Sequence, residues 1–172
     1  MAAECASASS PVTIRMEQGV YSFTSKISLE SHVTYEGGLI YDGAGAWRKS
    51  NKFVTTLRRT GTSYETPASG QRVYIALQAV SKSKFKLQDL TIETDAAPSV
   101  TSNRGVSTYG LHLTNANDFT ILRCNIRPGA ASAGGSGSNG GSGSAGSNGG
   151  KGKNGDEDDQ ANEGVGGNGG AG

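Results

Sequence analysis

The sequence predicts an all-β fold of short strands stacked by an internal repeat, followed by a glycine-rich tail. Three observations carry that expectation. Apolar and polar residues alternate in runs too short for helices. One such run recurs 34 residues further on. Glycine changes both its density and its spacing near residue 128.

The alternating runs are Val12–Met16, Ile27–Leu29, Val33–Tyr35, Val73–Ala79, Phe85–Ile92, Tyr109–Leu113 and Phe119–Ile126. Each is bounded by Gly, Ser, Asn or Thr, and no stretch keeps a helical period for three turns. Short strands at close spacing suit a sandwich, a barrel or a solenoid. Self-comparison favours the solenoid. At an offset of 34, Ile75, Leu77 and Ala79 fall on Tyr109, Leu111 and Leu113, while Phe85, Leu87, Leu90 and Ile92 fall on Phe119, Ile121, Cys124 and Ile126.

All of these residues are expected to face inward. The spacing around Leu87 and Leu90 requires a one-residue kink, because the inward period of two slips there by one. Val33, Tyr35, Gly38 and Ile40 form a weaker, earlier copy. The pattern is that of a right-handed parallel β-helix whose coils sit about 4.8 Å apart. The same offset brings Lys84 to Asp118, Asp89 to Arg123 and Glu93 to Arg127, three opposite-charge pairs that specify the register. Cys124 takes the Leu90 position and is expected to be a buried, inert thiol. With Cys5 as the only other cysteine, neither a disulfide framework nor a metal site is expected.

Residues 129–172 hold 18 of the 27 glycines. The chain therefore divides into an N-terminal extension (1–11), β-helix coils (12–128) and a glycine-rich low-complexity region (129–172) with an acidic turn at 156–163. Glycine recurs every third residue from Gly134 to Gly155 and resumes in phase at Gly164, Gly167 and Gly170. A flexible linker is one reading of that region. A polyglycine-II-like bundle is the other, with every third residue on one close-packed face. A lone rod of this kind is expected to be disordered or poorly packed. No proline follows Pro128, which excludes a collagen helix.

Residues 1–128 carry 14 Lys and Arg against 10 Asp and Glu; the remainder carries 2 against 5. That balance argues against a nucleic-acid partner, which needs a clustered basic footprint. No apolar run is long enough for a membrane span. Residues 1–11 have neither a basic nor an apolar segment of the kind a signal peptide needs.

The outward rows read Tyr74, Ala76, Gln78 over Thr108, Gly110, His112; Lys86 over Thr120; and Thr91, Glu93 over Asn125, Arg127. Only one carboxylate stands in them, facing an arginine, so no catalytic row is expected. His112 beside Gln78 is the one sheet residue placed as a general base would be, and His32 reads as a turn residue. Trp47 reads as a loop aromatic, with a sugar-stacking platform as the alternative. Asp156–Asp159 with Asn162 and Glu163 lack the spacing of calcium loops and read as a solvated turn. No catalytic residue, cofactor or metal ligand is assigned.

Gly19-Val20-Tyr21, Ile27-x-Leu29-x-Ser31-His32-Val33-Thr34-Tyr35-Glu36-Gly37-Gly38, Trp47-Arg48-Lys49, Thr55-Thr56-Leu57 and Tyr109-Gly110-Leu111-His112-Leu113 resemble the opening coils of the pectin-lyase-like superfamily. More narrowly, the chain is similar to bacterial exported proteins in which such a β-helix runs into a PGRS-like glycine-rich region. The resemblance implies a secreted or cell-surface, adhesin-like structural module that presents loops such as Asp42–Asn51 and Asp95–Thr108 to surface glycans or proteins. It also implies more coils and a leader, so the chain is expected to be a fragment. The alternatives are a fragment of a polysaccharide lyase or other carbohydrate-active enzyme, and an ice- or mineral-binding glycine bundle. The open C-terminal edge of the last coil invites self-association.

Overall fold

The computed structural model describes residues 6–100 and 104–149. Among them the fold is all-β, with twelve strands: β1 (Val12–Glu17), β2 (Gly19–Phe23), β3 (Ile27–Ser28), β4 (Val33–Tyr41), β5 (Trp47–Lys49), β6 (Thr55–Arg59), β7 (Val73–Val80), β8 (Lys86–Gln88), β9 (Thr91–Thr94), β10 (Ser107–Thr114), β11 (Thr120–Leu122) and β12 (Asn125–Arg127). They form three parallel sheets. The first has the order β1-β4-β8-β11, the second β2-β6-β9-β12 and the third β3-β7-β10; β5 alone is antiparallel, on β4. The chain visits the first, second and third sheets in rotation. Each circuit therefore lays its strands beside those of the circuit before. Val12 pairs with Val33, Thr34 with Lys86 and Lys86 with Thr120, so successive circuits take 21, 52 and 34 residues.

The 34-residue register holds in all three sheets: Leu77 pairs with Leu111, Leu87 with Ile121 and Ile92 with Ile126. Between the sheets lies one core of Leu29, Val33, Tyr35, Leu57, Ala76, Leu77, Ala79, Phe85, Leu87, Leu90 and Ile92. A fully buried Leu or Phe in such a stack contributes about 2 kcal/mol, and the Phe85 and Phe119 rings stack at 5.4 Å. The expected kink is a left-handed residue at the corner between the first and second sheets, Asp89 (φ 55°) over Arg123 (φ 50°). The corner between the third and first sheets repeats the device with His32 (φ 61°), Lys84 (φ 57°) and Asp118 (φ 49°). Each non-glycine residue held this way costs about 1 kcal/mol, which the stacking around it must offset.

Two expectations about facing are corrected. Ala76 and Leu77 both join the core, so the alternation slips by one inside β7. Gly110 on β10 follows it inward: a Cβ there would lie 2.5 Å from Ile126 Cγ2. Pairing survives because both strands slip at the same place; Ile75 leaves the main cluster yet stays buried at 1% exposure, while Tyr109 is 36% exposed. Tyr74 and Ala76, expected outside, are fully buried, Tyr74 in a second cluster with Ala97 and Val106. Ala97 and Val106, in the segment expected to be a presented loop, are thus core residues.

The early copy also departs from expectation after Tyr35. Residues 37–54 detour through a hairpin, and Leu57, not Ile40, stacks on Ile92. Thr55 stitches the detour shut, its buried hydroxyl accepting from Gly38 N at 3.0 Å and donating to Glu17 O at 2.9 Å. Gly37 is required here, since a Cβ would lie within 2.7 Å of Asp89 O, Leu90 Cδ2 and Thr55 Cβ.

The chain divides into two compact units, Met1–Ser136 and Gly137–Gly172. The first residues of the glycine-rich region belong to the body: Gly129 N donates to Thr94 Oγ1 at 2.8 Å, and Ser132 N to Val106 O at 3.0 Å. In the second unit, a Cβ at Gly137, Gly140 or Gly141 would meet nothing within 4 Å. No close packing therefore demands glycine at these positions. The acidic turn at 156–163 lies outside the described residues.

Candidate functional site

The corner formed by Asp89 joins five charged side chains, Arg15, Glu36, Lys49, Asp89 and Arg123, in one network. Glu36 projects outward from β4 between Arg15 of β1, its register partner at 3.9 Å, and Gln88 of β8, whose Nε2 is 3.2 Å from Glu36 Oε1. Sequence reasoning missed this second carboxylate row, because a 52-residue circuit hides the pairing of β4 with β8. From β5, Lys49 Nζ reaches both Glu36 and Asp89, the latter at 2.6 Å. One circuit on, Arg123 holds Asp89 with two bonds of 2.5 and 2.9 Å.

Arg123 first, then Lys49, holds the Asp89 carboxyl far below the usual carboxylate range despite a side chain only 16% exposed. Burial alone would lower Lys49, but its bonds to Asp89 and Glu36 outweigh that and raise it. The arrangement is a clasp that pins the 37–54 detour to the stack. Beside it lies a cavity of about 440 Å3 whose walls include Asn51, Phe53, Asp89, Arg123 and Asn125.

A second cavity, of about 390 Å3, lies on the outer face of the third sheet. Gln78 and His112, register partners as expected, form its floor with Ile75, and Lys26, Glu65 and Gln71 stand around it. The Nδ1 of His112 is buried without a hydrogen-bond partner, and its ring meets the edge of Tyr109 at 5.2 Å. No carboxylate orients this imidazole, which a general base of the usual kind requires. Glu65 is held instead by Arg59 at 2.9 Å. Arg59 is 1% exposed, donates to Ser63 O at 2.7 Å and to Ile75 O, and lies 4.2 Å over the Tyr74 ring.

The other expected residues are found as follows. His32 is a corner residue whose carbonyl accepts from Val12 N at 3.1 Å. Trp47 sits on a strand, not a loop, and its ring packs on Tyr41 at 5.2 Å. The hairpin tip between them is closed by Asp42, whose carboxylate accepts from Ala44 N and Ala46 N. Of the three charge pairs, Asp89–Arg123 forms fully and Glu93–Arg127 at 3.8 Å, whereas Lys84 and Asp118 form no ion pair. Cys124 is half-buried rather than buried, because among the described residues no further circuit stacks on it; burial still pushes its thiol up. No group of three or more His, Cys, Asp or Glu that could hold a metal ion occurs among the described residues. Among the described residues no helix is long and apolar enough to cross a membrane.

No family model, no curated protein and no solved structure matches the chain.

Proposed function

We propose that this chain forms a right-handed parallel β-helix of the pectin-lyase-like kind, serving as a non-catalytic, adhesin-like display module of a secreted or surface protein. One observation carries the non-catalytic reading. Among the described residues, every carboxylate except Asp118 is engaged by a cation or a backbone N–H. Glycoside hydrolysis needs one carboxyl kept protonated by its surroundings, and Asp89 is driven in the opposite sense. The stack supplies a rigid support, and the hairpin with Tyr41 and Trp47 is the element it presents. Surface glycans or proteins are the partners such an aromatic pair suits.

A polysaccharide lyase is the second reading, favoured by Glu36 and Asp89 sharing Lys49. The full chain is to be screened on immobilised glycans and, in parallel, assayed for unsaturated products from acidic polysaccharides. Binding that is lost in Trp47→Ala, without turnover, supports display. Turnover that is lost in Asp89→Asn overturns it.

A further inference from the structure

The last circuit ends in an apolar face. Phe119, Ile121 and Ile126 point into the stack, yet each is 39% exposed, with Leu111, Leu113 and Cys124 half-covered beside them. The strands β10, β11 and β12 each pair on one side only. On β11, Thr120 N donates to Phe85 O and Leu122 O accepts from Asp89 N, both at 3.0 Å. The N–H and C=O of Ile121 between them therefore face the open side. The chain's own register supplies no cover. Thirty-four residues after Tyr109, Leu111, Phe119, Ile121, Cys124 and Ile126 stand Gly143, Ala145, Lys153, Gly155, Asp158 and Gln160.

We propose that the occupant of this face is a second copy of the chain, related by a two-fold axis through Ile121. About such an axis the two β11 strands run antiparallel, and the outward N–H and C=O of Ile121 meet the same groups of Ile121 of the partner subunit. This is the hydrogen-bonded pair of an antiparallel ladder. The charges then complement each other. The corner at Asp118, whose carboxylate has no partner among the described residues, falls over the corner at Arg123 of the partner subunit, and the reverse pair forms by symmetry. The β12 strand of each copy lies along β10 of the other, so Arg127 faces a strand whose outward residues include His112 rather than another cation. A head-to-tail stack lacks this closure and would grow as a filament.

The test is sedimentation of the full chain over a dilution series, beside two variants. Ile121→Lys places a charge on the axis and is expected to give a monomer with an unchanged β-type circular dichroism spectrum. Asp118→Lys keeps a residue type that Lys84 already carries in the same left-handed conformation, and is expected to weaken the dimer about tenfold or more. It serves as well if Ile121→Lys does not fold. A concentration-dependent dimer weakened by these changes supports the proposal. A monomer at all concentrations, an open-ended ladder of oligomers, or a dimer indifferent to Asp118→Lys overturns it.

Discussion

Replacing Gly37 by alanine tests the detour and the corner together. The added Cβ would lie 2.6 Å from Asp89 O and 2.7 Å from both Leu90 Cδ2 and Thr55 Cβ. Gly37 has no unusual φ, so the effect is steric alone. The oxygen belongs to a corner residue whose N–H is bonded to Leu122 O at 3.0 Å, and Thr55 is locked by hydrogen bonds to Gly38 and Glu17. With little room to relax, the substitution reaches the upper end of overpacking costs, about 3 kcal/mol. For a body of this size that lowers the melting temperature by roughly 10 °C. The assay is urea unfolding followed by circular dichroism at one fixed protein concentration, since a dimer's stability depends on it. Gly110→Ala is the comparison: its Cβ would meet chiefly the Cγ2 branch methyl of Ile126, a side chain 39% exposed on the open face, which can shift where a backbone carbonyl cannot, so the cost is smaller, about 1 kcal/mol. If Gly37→Ala costs no more than Gly110→Ala, the packing at the corner is not as described.

Three further outcomes follow from the charged and polar groups. Asp89→Asn leaves Lys49 and Arg123 without their carboxylate and is expected to destabilise by about 2 kcal/mol, read in the same urea titration. Because the folded form holds Asp89 below its unfolded value, its stabilisation is present above about pH 4 and is lost as pH falls further; the urea midpoint of the wild type should therefore fall more steeply in acid than that of Asp89→Asn. Arg59→Leu strands Glu65 and the carbonyls of Ser63 and Ile75 and is expected to cost about 3 kcal/mol, whereas a loss under about 1 kcal/mol would show that the buried arginine is not braced as described. In a Cys5→Ser background, Cys124 should react with a disulfide reagent at pH 8 about tenfold more slowly in the folded than in the urea-unfolded chain; equal rates would place it in open solvent.

The register was legible because Phe85–Ile92 and Phe119–Ile126 repeat without a gap, and a parallel stack preserves spacing one circuit to the next. The kink was legible for the same reason, although its left-handed geometry at Asp89 and Arg123 was not. Period-two reasoning failed at Ala76, where β7 and β10 slip together; Gly110 beneath it was the available signal, since it leaves room for the Ile126 side chain. The Glu36 row was hidden by the length of the second circuit. Thirteen-residue separation between Glu36 and Lys49, bridged by a hairpin, carries no periodic mark in the sequence. Exposure of the last rung was expected from the coil count, and Cys124 was misplaced only because its neighbour on the open side was taken for granted.

The stacking of circuits at 34 residues is tested most directly by one engineered disulfide. Lys86 and Thr120 are outward register partners on β8 and β11, at the spacing of neighbouring strands, about 4.8 Å, which a disulfide spans. In a chain with Cys5 and Cys124 replaced by serine, Lys86→Cys with Thr120→Cys should oxidise within one molecule and raise stability by about 3 kcal/mol. Failure to oxidise, with ready closure when the second cysteine is moved to Asn117 instead, would contradict the register on which the account rests.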